Sequence, residues 1–368
     1  MAREQIELID TPDYEEVKNN FLKELTLASL GHPSSIPFLK HYLPEQPLIT
    51  EGIAQLFVIG GTNYIVETVE IQPDGNSIVK DKQTGILPIF ATKPNLITFF
   101  ARFIDPRAKA IGINFGFPLI ACTGSQGELD GMLAYATKEH TFAGFTEPLG
   151  ELVKTIVKQQ FHITPLVAVA NDTICLALSG NGTEQGALVV GTGSNMCIPI
   201  NEKKKRILVN LESGNFNKFI ISSVIKKLDE QSESPGVHLF EKNISGQYLS
   251  GIFNAVIKEN PEIQPIQTSK ELSTLAKAKT NGIAHDLARA ILTRSASLVA
   301  SEIAAVYEFM KKPEPFSLIA EGGLLWNGWQ YQENIRKQLV KFDIPEEAVE
   351  IKYISDSSIH GALGLLVG

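Results

Sequence analysis

The stretch QLFVIGGTNYIVE, residues 55–67, is two apolar β-runs joined through Gly60, Gly61, Thr62 and Asn63. Glycines directly after a buried strand let backbone N–H groups approach an anion, and a threonine hydroxyl adds one more donor. The stretch therefore reads either as a plain hairpin turn or as a phosphate-binding loop. A phosphate loop that also handles a metal normally carries a carboxylate two residues before its first glycine, and Val58 stands in that place.

The same device recurs twice. VVGTGSN (189–195) and IAEGGLL (319–325) also set small residues immediately after an apolar run. One glycine turn after a strand usually just closes a loop. Three in one chain point to a nucleotide held by backbone amides, with Gly60, Gly61, Thr62, Asn63, Gly191, Thr192, Gly193, Gly322 and Gly323 as candidates.

Between the first two turns lies VAVANDTICLAL (167–178), which brings Asn171 and Asp172 to the end of a buried strand. Such a pair can cap the helix that follows. Asp172 can equally serve as a general base that takes a proton from a substrate hydroxyl attacking a phosphoryl group. Both readings stand on the local sequence.

Strands and helices alternate along the chain. Residues 12–30 have a helical apolar face, the proline-rich segment GHPSSIPFLKHYLPEQP breaks it, and QLFVI, YIVETVEI and SIVKDKQTGILPI follow as strands. NLITFFARFI and GELVKTIVKQQF read as helices, while AIGINF, PLVAVA and GALVVG read as buried strands. KNISGQYLSGIFNAVIK reads as one helix, and residues 286–310 as another, long one. Short apolar strands between helices predict a mostly parallel sheet covered on both faces.

A chain of 368 residues exceeds the size of a single core and suits two domains. The net charge of −8 weighs against a nucleic-acid partner. The one basic run, EKKKR (202–206), falls between two strands and reads as a solvated hairpin tip. Cys122, Cys175 and Cys197 lie 53 and 22 residues apart, without zinc-site spacing, and their odd number favours a reducing compartment. No leading apolar segment and no run of 18 apolar residues is present, so the expectation is a cytoplasmic protein with no membrane partner.

Taken together these segments resemble the hexokinase family, the sugar kinases of the actin-like ATPase fold. NFGFPL (114–119) is similar to that family's Phe-Ser-Phe-Pro segment, and LDGMLAYATKEHTF (129–142) to its Thr-Lys segment. VAVANDTICLAL resembles the catalytic Asn-Asp-Thr, and GALVVGTGSNMC the second phosphate loop. VNLESGNF (209–216) resembles its Asn-Met-Glu-Trp-Gly segment, and PGVHLFEKNISGQYLSGIF (235–253) the segment with its last sugar-binding glutamate. That final match is the longest and most specific.

The resemblance implies an α/β, two-lobed fold with a duplicated ribonuclease H-like motif and an active-site cleft between the lobes. The small lobe would take residues 52–170 with 356–368, where SSIHGALGLL is the closing helix, and the large lobe 1–51 with 171–355. It implies an ATP-dependent hexose kinase acting on the 6-hydroxyl of glucose or a related hexose. Asp172 would be the base and Lys138 would hold the sugar's reacting end. Thr137, Asn171, Asn195, Glu212 and Glu241 would bond the other hydroxyls. ATP would lie on the three glycine turns, with Mg2+ held through phosphates and water.

The chain departs from that pattern at five places. Val58 replaces the first loop's acid and Ile65 its arginine; Gly116 replaces a sugar-contacting serine; Ser213 replaces tryptophan; AEGGLLW departs from the adenosine segment's Asp-Gly-Thr. The sugar acids are kept while the nucleotide half is altered. A second reading follows, a hexose-binding sensor or regulatory protein with a degenerate nucleotide site and little turnover. A structural filament would leave the sugar acids without a role.

Overall fold

The computed structural model describes residues 9, 11–117, 119–133, 142–258, 260, 262–279 and 282–368. Among these, the strands in chain order are β1 (Leu39–His41), β2 (Gly52–Ile59), β3 (Asn63–Ile71), β4 (Ser77–Ile86), β5 (Ala110–Phe115), β6 (Leu119–Thr123) and β7 (Leu129–Leu133). They continue with β8 (Leu166–Asn171), β9 (Gly186–Val190), β10 (Ser194–Glu202), β11 (Lys205–Asn210), β12 (Phe316–Glu321) and β13 (Val349–Lys352). A five-stranded sheet has the order β4-β3-β2-β5-β8, a six-stranded sheet the order β1-β11-β10-β9-β12-β13, and β6 pairs with β7.

The five-stranded sheet is mixed, which corrects the expectation of a mostly parallel one. β2 pairs antiparallel with β3 and β3 with β4, while β5 and β8 run parallel to β2. Residues 60–62 and 72–76 are too short to carry a crossover, so they permit only antiparallel neighbours. The basic run is the tip of the β10–β11 hairpin, with Lys203 and Lys204 at φ 51° and 66°.

Contacts divide the chain into two compact units, Met1–Phe38 with Leu188–Met196 and Leu211–Tyr353, and Leu39–Ala187 with Cys197–Asn210 and Ile354–Gly368. The expected lobes, 52–170 with 356–368 and 1–51 with 171–355, follow the family pattern rather than contact density and remain an expectation.

The first unit is built around the helix Ile283–Phe309, which is buried along most of its length and packs against the helices Tyr14–Ser29, Gly246–Ile257, Ser269–Lys277 and Tyr331–Lys341. An all-round apolar helix is what a core position requires. In the second unit the alternation of β5 decides what covers each face. Ile111, Ile113 and Phe115 join the core formed with the helices Lys93–Phe103 and Leu149–Phe161. The intervening residues meet the C-terminal helix Ser357–Val367: Asn114 Nδ2 donates to Ser358 O at 3.1 Å, and a Cβ on Gly112 would overlap the carbonyl oxygen of Ala362.

Glycine at 112 is thus a packing requirement. Gly112→Ala forces the helix off the sheet and is expected to destabilise by about 2–3 kcal/mol. Gly251 lies inside a helix, and a methyl group added there would meet nothing within 4 Å, so Gly251→Ala is expected to gain up to about 1 kcal/mol. Urea unfolding of the two variants beside the wild type measures both; equal midpoints would overturn the packing argument.

Candidate active site

Two of the three glycine turns meet within the first unit. Gly191 N donates to Gly193 O at 2.9 Å, which closes the turn between β9 and β10. Gly322, just past β12, has φ 117°, and a Cβ there would overlap the carbonyl of Val190. A Cβ on Gly191 would lie 3.1 Å from Gly322 Cα. The two turns therefore touch backbone to backbone, which only glycine permits.

The sequence suggests one continuous helix over KNISGQYLSGIFNAVIK, but the structure breaks it. Leu239–Ile244 and Gly246–Ile257 are separate helices, with Ser245 extended at φ −85°, ψ 151°. The reason is a competing bond: Gly246 N donates to Gly191 O at 2.7 Å and Gln247 N to Thr192 O at 3.2 Å. Once the chain breaks, those amides fall in the first turn of the second helix, where no carbonyl of that helix can accept from them, and the loop carbonyls satisfy them instead.

Asn195, Glu212 and Glu241 come together beside this turn. Glu241 Oε1 accepts from Ser194 N at 3.1 Å, and a Cβ on Gly193 would lie 2.7 Å from that oxygen. Asn195 Oδ1 accepts from Met196 N at 2.8 Å and Ser213 N at 3.3 Å. Glu212 takes the left-handed conformation, φ 47°, ψ 46°, and its carbonyl accepts from Asn215 N and Nδ2 at 3.0 and 3.1 Å. All three side chains are partly exposed.

An aromatic triad sets their spacing. Phe216 ends the Glu212 turn and Phe240 precedes Glu241; both rings pack on Phe21, with centroids 4.9 and 5.9 Å away and 5.6 Å from each other. All three are fully buried. Tyr248 follows on the next helix, where burial, then the charges of Glu241 and Glu233, hold its hydroxyl above the usual value.

In the second unit the Asn171-Asp172 pair divides its labour. Asn171 Oδ1 accepts from Ile174 N at 3.0 Å and is the helix cap. Asp172 is left exposed at the first position of that helix, with its carboxylate accepting from Thr173 N and Oγ1 at 2.8 and 3.2 Å. The capping role expected of the pair is thus met by Asn171. Thr137 and Lys138 lie outside the described residues.

The first glycine turn is closed by Gly60 N donating to Asn63 O at 3.0 Å. Gly116 packs on it, with its amide on Ile59 O at 2.7 Å and a Cβ position 3.3 Å from Gly60 Cα. Glycine at 116, a departure from the family pattern, therefore admits close backbone contact. Val58 and Ile65 are directly opposed across β2 and β3, and Asn114 is the partner of Val58 on the other side. Where the family places an acid and an arginine, this chain has one apolar cross-strand pair.

The turns at Gly191 and Gly322 fit a phosphate: their backbones lie so close that a Cβ on either would crowd the other strand exit, and Thr192 is exposed beside them. Among the described residues no group of three or more His, Cys, Asp or Glu side chains could hold a metal. Sequence reasoning missed the Ser194 amide, Gly214, whose Cβ position lies 3.0 Å from Glu241 Cβ, and the amides of Gly246 and Gln247. It also missed Glu302, a lone acid in the apolar run SLVASEIAAVY, which is fully buried and pushed up to about 7 by loss of solvent.

The family profile described as Hexokinase matches residues 185–285 and 259–366. Hexokinase-2 of Solanum tuberosum is 25% identical over 418 residues, spanning 91% of this chain and 83% of that protein. Hexokinase-2 of Equus caballus is 25% identical over 371 residues, and the chain spans only 40% of its length. Among solved structures, the hexokinase from Schistosoma mansoni complexed with glucose superposes with a TM-score of 0.81 at 20% identity, covering 100% of this chain and 98% of that one. A ROK hexokinase from Thermus thermophilus shares the fold more distantly, with a TM-score of 0.55 at 14% identity over 84% of this chain and 96% of that one. The fold is the α/β fold of the actin-like sugar kinases, and the chain belongs to the hexokinase family.

Proposed function

We propose that this protein is an ATP-dependent hexose kinase that phosphorylates the 6-hydroxyl of glucose or a close relative. The observation that carries the reading is the grouping of Asn195, Glu212 and Glu241 around the Gly191–Gly193 turn, where partly exposed carboxylates and an amide stand beside a backbone cradle. A polyol needs such acceptors and donors at fixed angles, and each charge-assisted bond to it contributes about 1.5–3 kcal/mol. In this reading Asn171, Thr137 and Lys138 complete the sugar contacts.

Asp172 takes the proton from the attacking hydroxyl, and its bonds from Thr173 N and Oγ1 favour the carboxylate form that a base requires. ATP supplies the phosphoryl group when bound, with the amides of the glycine turns to receive its phosphates. Mg2+ accompanies it, held by phosphates and water. Three cysteines that form no disulfide accord with a cytoplasmic protein.

The apolar Val58–Ile65 pair supports a second reading, a hexose sensor with little turnover. Each lost electrostatic contact lowers the rate by about a hundredfold or more, so the same pair implies a slow kinase under the first reading.

Asp172→Ala is expected to lower hexose 6-phosphate formation with Mg-ATP by about a hundredfold or more, measured by a coupled assay with folding checked by circular dichroism. Unchanged activity would remove Asp172 from the mechanism. Val58→Asp combined with Ile65→Arg is expected to raise the wild-type rate by about tenfold or more, because the pair restores opposed charges at one register position. A fast wild type with no gain in the double variant would show that the first loop does not limit catalysis. Hexose binding without product in either protein would favour the sensor.

A further inference from the structure

The departure AEGGLLW (320–326) ends in Trp326, and the fold turns that side chain back onto the strand it follows. Trp326 N donates to Gly322 O at 3.2 Å, and Trp326 Nε1 donates to Ala320 O at 3.1 Å. These two bonds fix the indole at the end of β12, beside the third glycine turn. The indole meets the ring of Tyr353 edge to face, with centroids 5.5 Å apart and planes at 79°. Trp326 is partly buried, while Tyr353 is 65% exposed, so much of the phenol ring stays open to solvent. Gly323 is exposed as well, and a Cβ there would meet nothing within 4 Å, so the turn is unobstructed on that side.

Strand order sets the place of this pair. β9, β12 and β13 are successive neighbours in the six-stranded sheet. β12 and β13 run parallel with Ile319 opposite Lys352, so Tyr353 leaves β13 level with Ala320. Gly191, just past β9, packs on Gly322, just past β12. Three neighbouring strand exits therefore carry, in order, the Gly191 turn, the Gly322 turn and the aromatic pair. Two strand spacings put the last about 10 Å from the first. Open α/β sheets bind their ligands outside the carboxyl ends of the strands, and the aromatic pair is at that edge.

We propose that Tyr353 and Trp326 determine specificity for a nucleotide donor, the exposed Tyr353 ring stacking on the donor's base and Trp326 holding that ring in place. The proposal rests on the reading of the Gly191 and Gly322 turns as the donor's phosphate site. A ring platform accepts any planar base, because every base has a π-face. It therefore favours a nucleoside triphosphate over an inorganic polyphosphate and discriminates little among bases. The indole earns its position by two bonds to backbone carbonyls, which keeps the phenol from swinging away when no base is bound.

Calorimetric titrations with Mg-ATP and with Mg-tripolyphosphate, which carries phosphates without a base, test this on wild type, Tyr353→Phe and Tyr353→Ala. Wild type and Tyr353→Phe are expected to bind ATP about tenfold more tightly than tripolyphosphate, and Tyr353→Ala to bind the two alike. Fluorescence gives a second readout that leaves the ring pair intact. The chain has two tryptophans, so Trp329→Phe makes Trp326 the one indole emitter. ATP is expected to change its emission and tripolyphosphate to leave it unchanged. A Tyr353→Ala protein with a lower melting temperature but an intact preference for ATP makes the rings mere packing and overturns the proposal. Emission from Trp326 that ignores bound ATP does the same. Wild type that binds tripolyphosphate as well as ATP overturns the base subsite alone, and binding of neither overturns the phosphate reading of the glycine turns with it.

Discussion

The closest constraint in the first unit is the backbone contact between Val190–Gly191 and Gly322, where neither strand exit has space for a Cβ. It fixes the ends of β9 and β12 against each other and presents the Gly191 and Thr192 carbonyls to the helix that starts at Gly246. Those carbonyls draw the amides of Gly246 and Gln247 out of a continuous helix, so the chain breaks at Ser245. The short helix before the break is what brings Glu241 onto Ser194 N. One contact made of missing side chains therefore decides where a carboxylate stands four dozen residues later in the chain.

Apolar packing finishes what that contact begins. Phe21, Phe216 and Phe240 bury their rings together, and each of the latter two adjoins a residue of the polar group. Pulling such rings apart exposes a large apolar area at about 25 cal/mol per Å². The polar side chains are thus located by hydrophobic forces and oriented by hydrogen bonds. The left-handed backbone at Glu212 is maintained in the same way, through two bonds from Asn215 to its carbonyl.

Val58 and Ile65 show the opposite use of the same sheet geometry. Cross-strand partners are the unit in which sheets tolerate substitution, and here both members are apolar. An acid opposed to an isoleucine would be a charge without its partner, as would an arginine opposed to a valine. Replacement of both leaves a strand pair that is locally consistent, while the charges available to a triphosphate fall.

The sequence alone was sufficient for what depends on near neighbours. Periodicity placed the helix Tyr14–Ser29, the strands β2, β3 and β5 and the long helix Ile283–Phe309, and glycines after apolar runs marked the three turns. These features arise from backbone preference and side-chain alternation within a few residues, so the local pattern carries them. The break at Ser245, the need for glycine at 112 and 116, the division of roles between Asn171 and Asp172, and the burial of Glu302 were decided by the tertiary structure. Most of these depend on groups far apart in the chain, and the free energy of a buried bond or an excluded methyl depends on which distant atoms arrive beside it, a quantity that no local window of sequence contains.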